Sequence, residues 1–413
     1  MEWIKDKKHI SALARVPIKS WCPEPEPEAL QQAANLAAHP AVEQHVALMP
    51  DCHVGYGMPI GGVIGCKDAV IPNAVGVDIG CGMGAIRTSG TVEHLRDRQH
   101  IRTILEQIKR RVPVGEGNSH SHQIPWVGFD RWEAEIKGRP PGWFGSDGTG
   151  RDRKNLGTLG GGNHFLELQA ADDGTLWLML HSGSRNLGYR IANYYHKLAQ
   201  KLNEKWHVAL PCSDLAFLPA DSDEGQAYIR DMNFALAYAF ENRRLMMEAF
   251  REVVGEFIAG IAFLEEINIH HNYAALETHF GRSLWVHRKG ATSAQTGQMG
   301  IIPGSMGASS YIVRGRGNPE SFASCSHGAG RRMGRMEAGR RLTLEECDRA
   351  MEGIVFDRWH SNKAGFGRKK SKGGGLDFGE APQAYKDIEQ VMVNQADLVD
   401  PLVKLRPLGV IKG

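Results

Sequence analysis

The stretch Ser324-Cys325-Ser326-His327-Gly328-Ala329-Gly330-Arg331-Arg332 sets one imidazole among small residues, directly ahead of Arg331, Arg332 and Arg335. Glycine lets a backbone come close to a ligand, and a guanidinium fork matches phosphate oxygens. An imidazole in such a loop has two chemistries open to it: it can ligate a metal or attack phosphorus. Ahead of it, GSMGASSYIVRGRGN (304–318) adds backbone N–H groups, hydroxyls, Arg314 and Arg316. The chain has neither the G-x-x-x-x-G-K-[ST] run of a P-loop nor a Lys-x-Asp-Gly nucleophile motif. Phosphate is the expected ligand of this Gly/Ser/Arg stretch.

A second set of residues suits a metal. GVDIGCGMG (76–84) puts Asp78 and Cys81 on one tight loop, where a carboxylate and a thiolate can reach one cation or bridge two. HFLELQ (164–169) and LWLMLH (176–181) read as strands joined through Asp172-Asp173-Gly174, a hairpin pattern. A turn centred on Asp172–Asp173 pairs His164 with His181, and one centred on Asp173–Gly174 keeps both on the same face. NIHHN (268–272) adds His270 and His271, one of which is expected to face inward. Five donors exceed the four of a structural tetrahedral zinc and leave room for two ions with open positions. Thiolate and imidazole suit zinc; a carboxylate and a phosphate substrate allow manganese.

The elements around these residues read as follows. The chain has 413 residues, 42% hydrophobic and 23% charged, with 49 glycines, well above the usual ~7%. Net charge is +2, so any nucleic-acid surface must be local. Seven scattered cysteines argue against a disulfide framework. MEWIKDKKHI lacks an apolar leader core and no apolar run reaches membrane-span length, which leads us to expect a cytoplasmic protein with no membrane partner. PEALQQAANLAAHP reads as a helix ended by Pro40; 92–111, 186–206 and a very long 225–260 are helical by period, with further helices near 343–353 and 383–394 and a terminal strand. The 113–155 segment, rich in Gly, Pro and Trp, reads as an insertion or lid; 355–378, with the basic run RKKSK (368–372), reads as another. One interwoven α+β catalytic domain over 1–413 is the expected architecture.

The motifs MPDCHVGYGMPIGGVI, GVDIGCGM, LGTLGGGNHFLE, LHSGSRNLG, HHNY, RKGATSAQTGQMGIIPGSMGASSYIVRG, SCSHGAGR and the closing AYKDI…VIKG together resemble the RtcB family of tRNA-splicing and RNA-repair ligases, from near residue 45 to the C-terminus. The resemblance implies an α+β fold with a central β-sandwich-like core. It implies that His327 attacks the α-phosphate of GTP and carries GMP as a phosphoramidate. Two Mn²⁺ ions would be bridged by Cys81, with His181 and His271 on one and Asp78 and His164 on the other. Guanylate contacts would carry over to Asn163, Glu167, Ser305, Ser310, Gly328, Ala329, Gly330, Arg331, Tyr385 and Lys412. The substrates implied are RNA ends bearing 3′-phosphate or 2′,3′-cyclic phosphate and 5′-hydroxyl, with an archease-like or release-factor-like helper among the partners. The chain departs from the family in reading Met-Gly-Arg at 333–335 where Met-Ser-Arg is common, and in the two segments above. Two other readings use part of the same residue set: a dinuclear-metal phosphodiesterase or phosphatase on RNA ends, and a non-enzymatic RNA-binding protein with a structural metal. Neither has a use for His327 as a nucleophile.

Overall fold

The apolar β-type runs assemble mainly into two large sheets, beside two small two-stranded ones, in the computed structural model, which describes residues 2–3, 14–138, 140–145, 148–357, 359 and 376–413. One sheet has six strands, in the spatial order Glu2–Trp3, Ile18–Ser20, Val42–His53, Ile60–Cys66, Arg282–Lys289 and Asn272–His279. The other runs Phe263–His270, Gly82–Thr91, Thr175–Ser182, Phe165–Ala171, Val399–Lys412, Ser310–Gly315 and Met299–Ile302, with Val355–Phe356 pairing alongside Val399–Lys412. This second sheet curls until its two edge strands approach each other, closing around Met83, Trp177, Met179, Ile267, Ile301 and Leu405. Its outer face is covered by the helices Arg98–Arg111 and Asp223–Phe257. The two sheets share a core that includes Met49, Val63, Val286, Ile302 and Val313, and the helix Pro27–Ala37 backs the first sheet. The expected α+β architecture with a layered β core is what the chain builds. Among the described residues no helix is long and apolar enough to cross a membrane.

The hairpin that carries His164 and His181 differs from both expected registers. Phe165, not His164, pairs with His181, because the connection is a three-residue loop, Asp172–Gly174. Gly174 N–H donates to the Ala171 carbonyl at 2.9 Å, and Gly174 takes φ +84°. That is a three-residue hairpin loop closed by a left-handed residue, and it shifts the pairing by one relative to a two-residue turn. His164 therefore lies just before the first paired residue and reaches the site from the strand's mouth.

The long helix is the frame for everything around it. It spans the 35 residues Asp223–Phe257, and Ser222 caps its start by accepting from Gly225 N–H at 3.0 Å, with Asp223 and Glu224 in the first turn. Its buried Asp231 accepts from the indoles of Trp132 and Trp143 at 3.1 and 2.7 Å and from the Tyr195 hydroxyl at 2.7 Å. Trp132 and Trp143 belong to the 113–155 segment, which also contributes the short helices Val127–Glu135 and Gly150–Asn155 and buries Phe129 against the same helix. Farther along, the Asn242 carboxamide accepts from Gly157 and Thr158 N–H at 2.7 and 3.1 Å and donates to the Gly183 carbonyl at 3.1 Å. Arg243, also buried, donates to the carbonyls of Gly80 and Ser182 at 2.8 and 3.0 Å. The RKKSK run and most of 355–378 lie outside the described residues.

Candidate metal and nucleotide site

Asp78, Cys81, His164, His181 and His271 come together at one end of the second sheet, from four separate stretches of chain. Their donor atoms form two groups of three, Cys81–His181–His271 and Asp78–Cys81–His164, each within 4.8 Å, and Cys81 belongs to both. Cys81 Sγ lies 3.2 Å from His181 Nε2 and 3.4 Å from His164 Nε2; His181 Nε2 is 3.3 Å from His271 Nε2, and His164 Nε2 is 3.2 Å from Asp78 Oδ2. His181 Nδ1 faces the Asn163 carbonyl at 3.0 Å. A carbonyl can only accept, so the proton sits on Nδ1 and Nε2 presents a lone pair to Cys81 and His271. Burial pushes the Cys81 thiol well up and His181 and His271 well down. Soft and imidazole donors converging on two points with one shared sulfur fit a pair of divalent cations, which would supply the charge that a thiolate needs.

Backbone design keeps this cluster tight. A side chain at Gly183 would put its Cβ 2.5 Å from Asp78 Oδ1, so only glycine lets Asp78 approach. Neighbouring His270 points elsewhere, its Nδ1 lying 3.0 Å from Arg243 Nη2 and 3.1 Å from the Gly80 carbonyl. Of the two adjacent histidines, His271 is the one at the cluster.

His327 stands beside the cluster, its ring centroid 4.8 Å from that of His271. Its Nδ1 is 2.6 Å from Asp51 Oδ2, and its backbone N–H donates to the same oxygen at 3.1 Å. Asp51 is fully buried in the strand Val42–His53. A carboxylate oxygen facing a ring nitrogen at this distance fixes the proton on Nδ1 and leaves the Nε2 lone pair available. Nε2 has no hydrogen-bond partner among the described residues. The imidazole is oriented as a nucleophile would be, by a third group behind it.

A cavity of about 570 Å³ opens over these residues, and Asp78, Cys81, His181, His271 and His327 line it. At one end it is lined by Asn163, Glu167, Tyr385 and Lys412. The chain end folds back here: Lys412 pairs with Phe165, and Gly413 N–H donates to the His164 carbonyl at 3.2 Å. Glu380 organises this end. It accepts from the Tyr385 hydroxyl, sits 3.3 Å from Arg331 Nη1 and 2.6 Å from Arg335 Nε, and lies 3.5 Å from Lys412 Nζ. Burial pushes the Glu380 carboxyl up, but Lys412, Arg335 and Arg331 together outweigh it and hold it down at about 2. Glu167 behaves oppositely: burial lifts it to about 7 against the pull of Lys412. Ser305 and the 328–331 stretch also line the cavity, and the Ser305 hydroxyl has no partner among the described residues. Ser310 stands behind the wall, its hydroxyl accepting from Gln169 Nε2 and Gly304 N–H, both at 3.3 Å.

With this geometry in hand, the comparisons with known proteins are decisive. The family model described as tRNA-splicing ligase RtcB matches residues 32–413. The RNA-splicing ligase RtcB of Escherichia coli is 40% identical over 418 residues, covering 96% of this chain and 97% of that protein. The chain belongs to the RtcB family. Other RtcB relatives are the tRNA-splicing ligase of Thermococcus kodakarensis, 32% identical over 93% of this chain and 91% of its own length, and the RNA-splicing ligase of Mycobacterium bovis, 32% identical over 92% and 100%.

Sequence reasoning within this RtcB chain missed three residues of the site. In sequence Asp51 reads as a residue on a loop or strand end with no assigned role, whereas the structure buries it in the strand Val42–His53, where a carboxylate demands a partner. Glu380, at the hub of Arg331, Arg335, Tyr385 and Lys412, has no local spacing that betrays it. Arg243 holds the Gly80 and Ser182 carbonyls that flank Cys81 and His181, and on a helix wheel it is merely a polar position.

Proposed function

We propose that this chain is a GTP- and Mn²⁺-dependent RNA ligase that joins 3′-phosphate or 2′,3′-cyclic phosphate ends to 5′-hydroxyl ends through a GMP-bearing His327. The observation that carries this reading is His327 Nδ1 at 2.6 Å from buried Asp51, beside two donor triads that share Cys81. With Nδ1–H held by Asp51, His327 Nε2 forms a bond to the α-phosphorus of GTP as the bond to the leaving pyrophosphate breaks. Positive charge that develops on the ring is stabilised by the Asp51 carboxylate. Cys81, His181 and His271 would hold one Mn²⁺ and Asp78, Cys81 and His164 the other; when bound, the ions supply the positive charge that drains the phosphate oxygens. Glu167, Tyr385 and Lys412 orient the guanine, and Arg331 and the 328–330 backbone hold the phosphate. An RNA 3′-phosphate oxygen then displaces His327 from the GMP phosphorus, and a 5′-hydroxyl, losing its proton, displaces GMP from the RNA 3′-phosphorus. Cyclic phosphate ends enter after hydrolysis to the 3′-phosphate. The seven cysteines are all free, which supports placing the enzyme in a reducing cytoplasm.

The test is incubation with Mn²⁺ and GTP labelled at the α-phosphate. An acid-labile, alkali-stable protein adduct is expected, and His327→Ala is expected to lose it while keeping the wild-type unfolding transition. Labelling that survives in His327→Ala would overturn the nucleophile. RNA-end processing by wild type with no adduct at all would favour a metal-only phosphodiesterase.

A further inference from the structure

Tyr56 is the one exposed aromatic that lines the cavity among the described residues; it is 75% exposed, while Phe165 is buried and Tyr385 is tied to Glu380. Nothing in the guanylyl-transfer scheme uses it. Its backbone is nonetheless held from three sides. Gly55 exchanges two hydrogen bonds with the Gln32 carboxamide, its N–H donating at 3.1 Å and its carbonyl accepting at 2.5 Å. The Tyr56 carbonyl accepts from Met58 N–H at 2.8 Å and from the buried Lys289 ammonium at 2.5 Å. Gly57 takes φ +70° and presses so close to the wall that a Cβ would sit 3.1 Å from the Asp214 carbonyl oxygen. A ring on a loose tip would be ordinary surface. A ring held out to solvent by a pinned turn at the mouth of a cavity is a platform.

Its surroundings point to what it receives. Val77, 40% exposed, also lines the cavity and follows Gly76, whose Cβ would meet the stem of the same Lys289 at 3.4 Å. Tyr56 and Val77 are thus apolar rim positions, the first held through its carbonyl by the buried lysine and the second following a glycine that packs beside the lysine stem. Gly290, next to that lysine, approaches the His327 ring, and Arg331 on the other side of His327 bonds Tyr385 at 3.2 Å. The imidazole thus neighbours Gly290, beside the lysine under this rim, and lies in the same cavity as Glu167, Tyr385 and Lys412. A planar, largely apolar ligand on a flat phenol ring, next to a phosphate-transfer centre, is a nucleobase; stacking on an aromatic face tolerates any base because every base has a π-face.

We propose that Tyr56 is a base-stacking platform for an RNA end, holding its terminal nucleobase at the cavity rim. The proposal rests on the RNA-ligase reading. Either the 3′-phosphate strand or the 5′-hydroxyl strand can supply such a base, and the experiment separates them. Binding of short 3′-phosphate and 5′-hydroxyl RNAs is measured by fluorescence anisotropy for wild type, Tyr56→Phe and Tyr56→Ala, each with an intact or an abasic terminal nucleotide. For one of the two strands, Tyr56→Ala is expected to weaken binding roughly 5- to 150-fold, the range of one aromatic–base stack. Tyr56→Phe should bind like wild type, and the abasic RNA should erase the difference between wild type and Tyr56→Ala. Equal binding of both intact strands by wild type and Tyr56→Ala would overturn the platform, as would an equal penalty on abasic RNA. GMP labelling is followed in parallel. A Tyr56→Ala defect as large in labelling as in RNA binding would reassign the ring to the nucleotide. Failure of wild type to label, with RNA binding still dependent on Tyr56, would sink the guanylyl-transfer reading and leave the platform standing.

Discussion

Replacing Asp51 by Asn isolates what its charge does for His327. Both hydrogen bonds from His327, at 2.6 Å from Nδ1 and 3.1 Å from the backbone, end on the same Asp51 oxygen. An Asn carbonyl oxygen in that place still accepts both, so the tautomer and the ring position are kept. The negative charge is lost, and an amide N–H2 takes the place of Oδ1, which is buried with no partner among the described residues. A hydrogen bond to a charged group contributes about 1.5–3 kcal/mol and a neutral one about 0.5–1.5, a difference of roughly 1–2 kcal/mol. That charge matters most when the ring becomes cationic, so the loss falls on the transition state and slows adduct formation about 5- to 30-fold. Single-turnover labelling at saturating GTP and Mn²⁺ measures it, with metal content and GTP affinity as controls expected to stay at wild-type levels. Asp51→Ala, which frees the ring to rotate and exchange tautomer, should be slower still. A rate for Asp51→Asn within a factor of two of wild type would refute the reasoning, because the carboxylate would then not be felt at Nε2.

Cys81→Ala should lose both tight metal sites at once, since its sulfur is common to both donor triads; retention of one full-affinity ion by metal analysis would contradict bridging. Glu167, lifted to about 7 by burial, is protonated below that pH; one oxygen then becomes an O–H donor, and the group cannot accept from guanine N1–H and the 2-amino group together. GTP affinity should therefore rise from pH 6 to 8 in wild type relative to Glu167→Gln, a comparison in which titration of the GTP phosphates cancels; parallel pH profiles would remove Glu167 from guanine recognition. Gly334 is the N-cap of the helix Arg335–Arg341 at φ −64°, ψ 154°, with no side-chain cap and nothing within 4 Å of a Cβ. Gly334→Ser should add a cap worth a few tenths of a kcal/mol, seen as slower hydrogen exchange at the first amides of that helix; unchanged exchange would show that the cap does not form.

Periodicity carried the helices well. The expected 186–206 and 225–260 are Leu187–Lys205 and Asp223–Phe257, because long amphipathic repeats leave few alternatives. Shorter elements lost their ends: 92–111 is a 3-10 turn at Val92–His94 and a helix from Arg98, where Asp97 caps His100 N–H at 2.8 Å. The clustering of Asp78, Cys81, His164, His181 and His271 was legible because Asp, Cys and His side chains on separate Gly-rich loops and strand ends share donor chemistry suited to one site. The hairpin register was not, since a single left-handed Gly174 decides it and the sequence Asp-Asp-Gly permits two- and three-residue turns alike. Asp51 meets His327 across 276 residues of chain, and Glu380 meets Arg331 across 49. Contacts of that reach are written in the topology of two sheets, and no window of sequence contains them.

The long helix sets one further constraint. Asp231 holds Trp132 and Trp143 of the 113–155 segment, while Asn242 and Arg243 hold the Thr158, Gly183, Gly80 and Ser182 backbone around the cluster. Eleven steps of helix at 3.6 residues per turn make just over three whole turns, so Asp231 and Asn242 lie on nearly the same side, about 16 Å apart. Loops on either side can lengthen or shorten in descent without moving these anchors. Inserting or deleting one residue between 231 and 242 would swing them out of phase by about 100° and leave one set of buried partners without its donor or acceptor. Length variation among relatives should therefore be free in the connections and forbidden within those three turns.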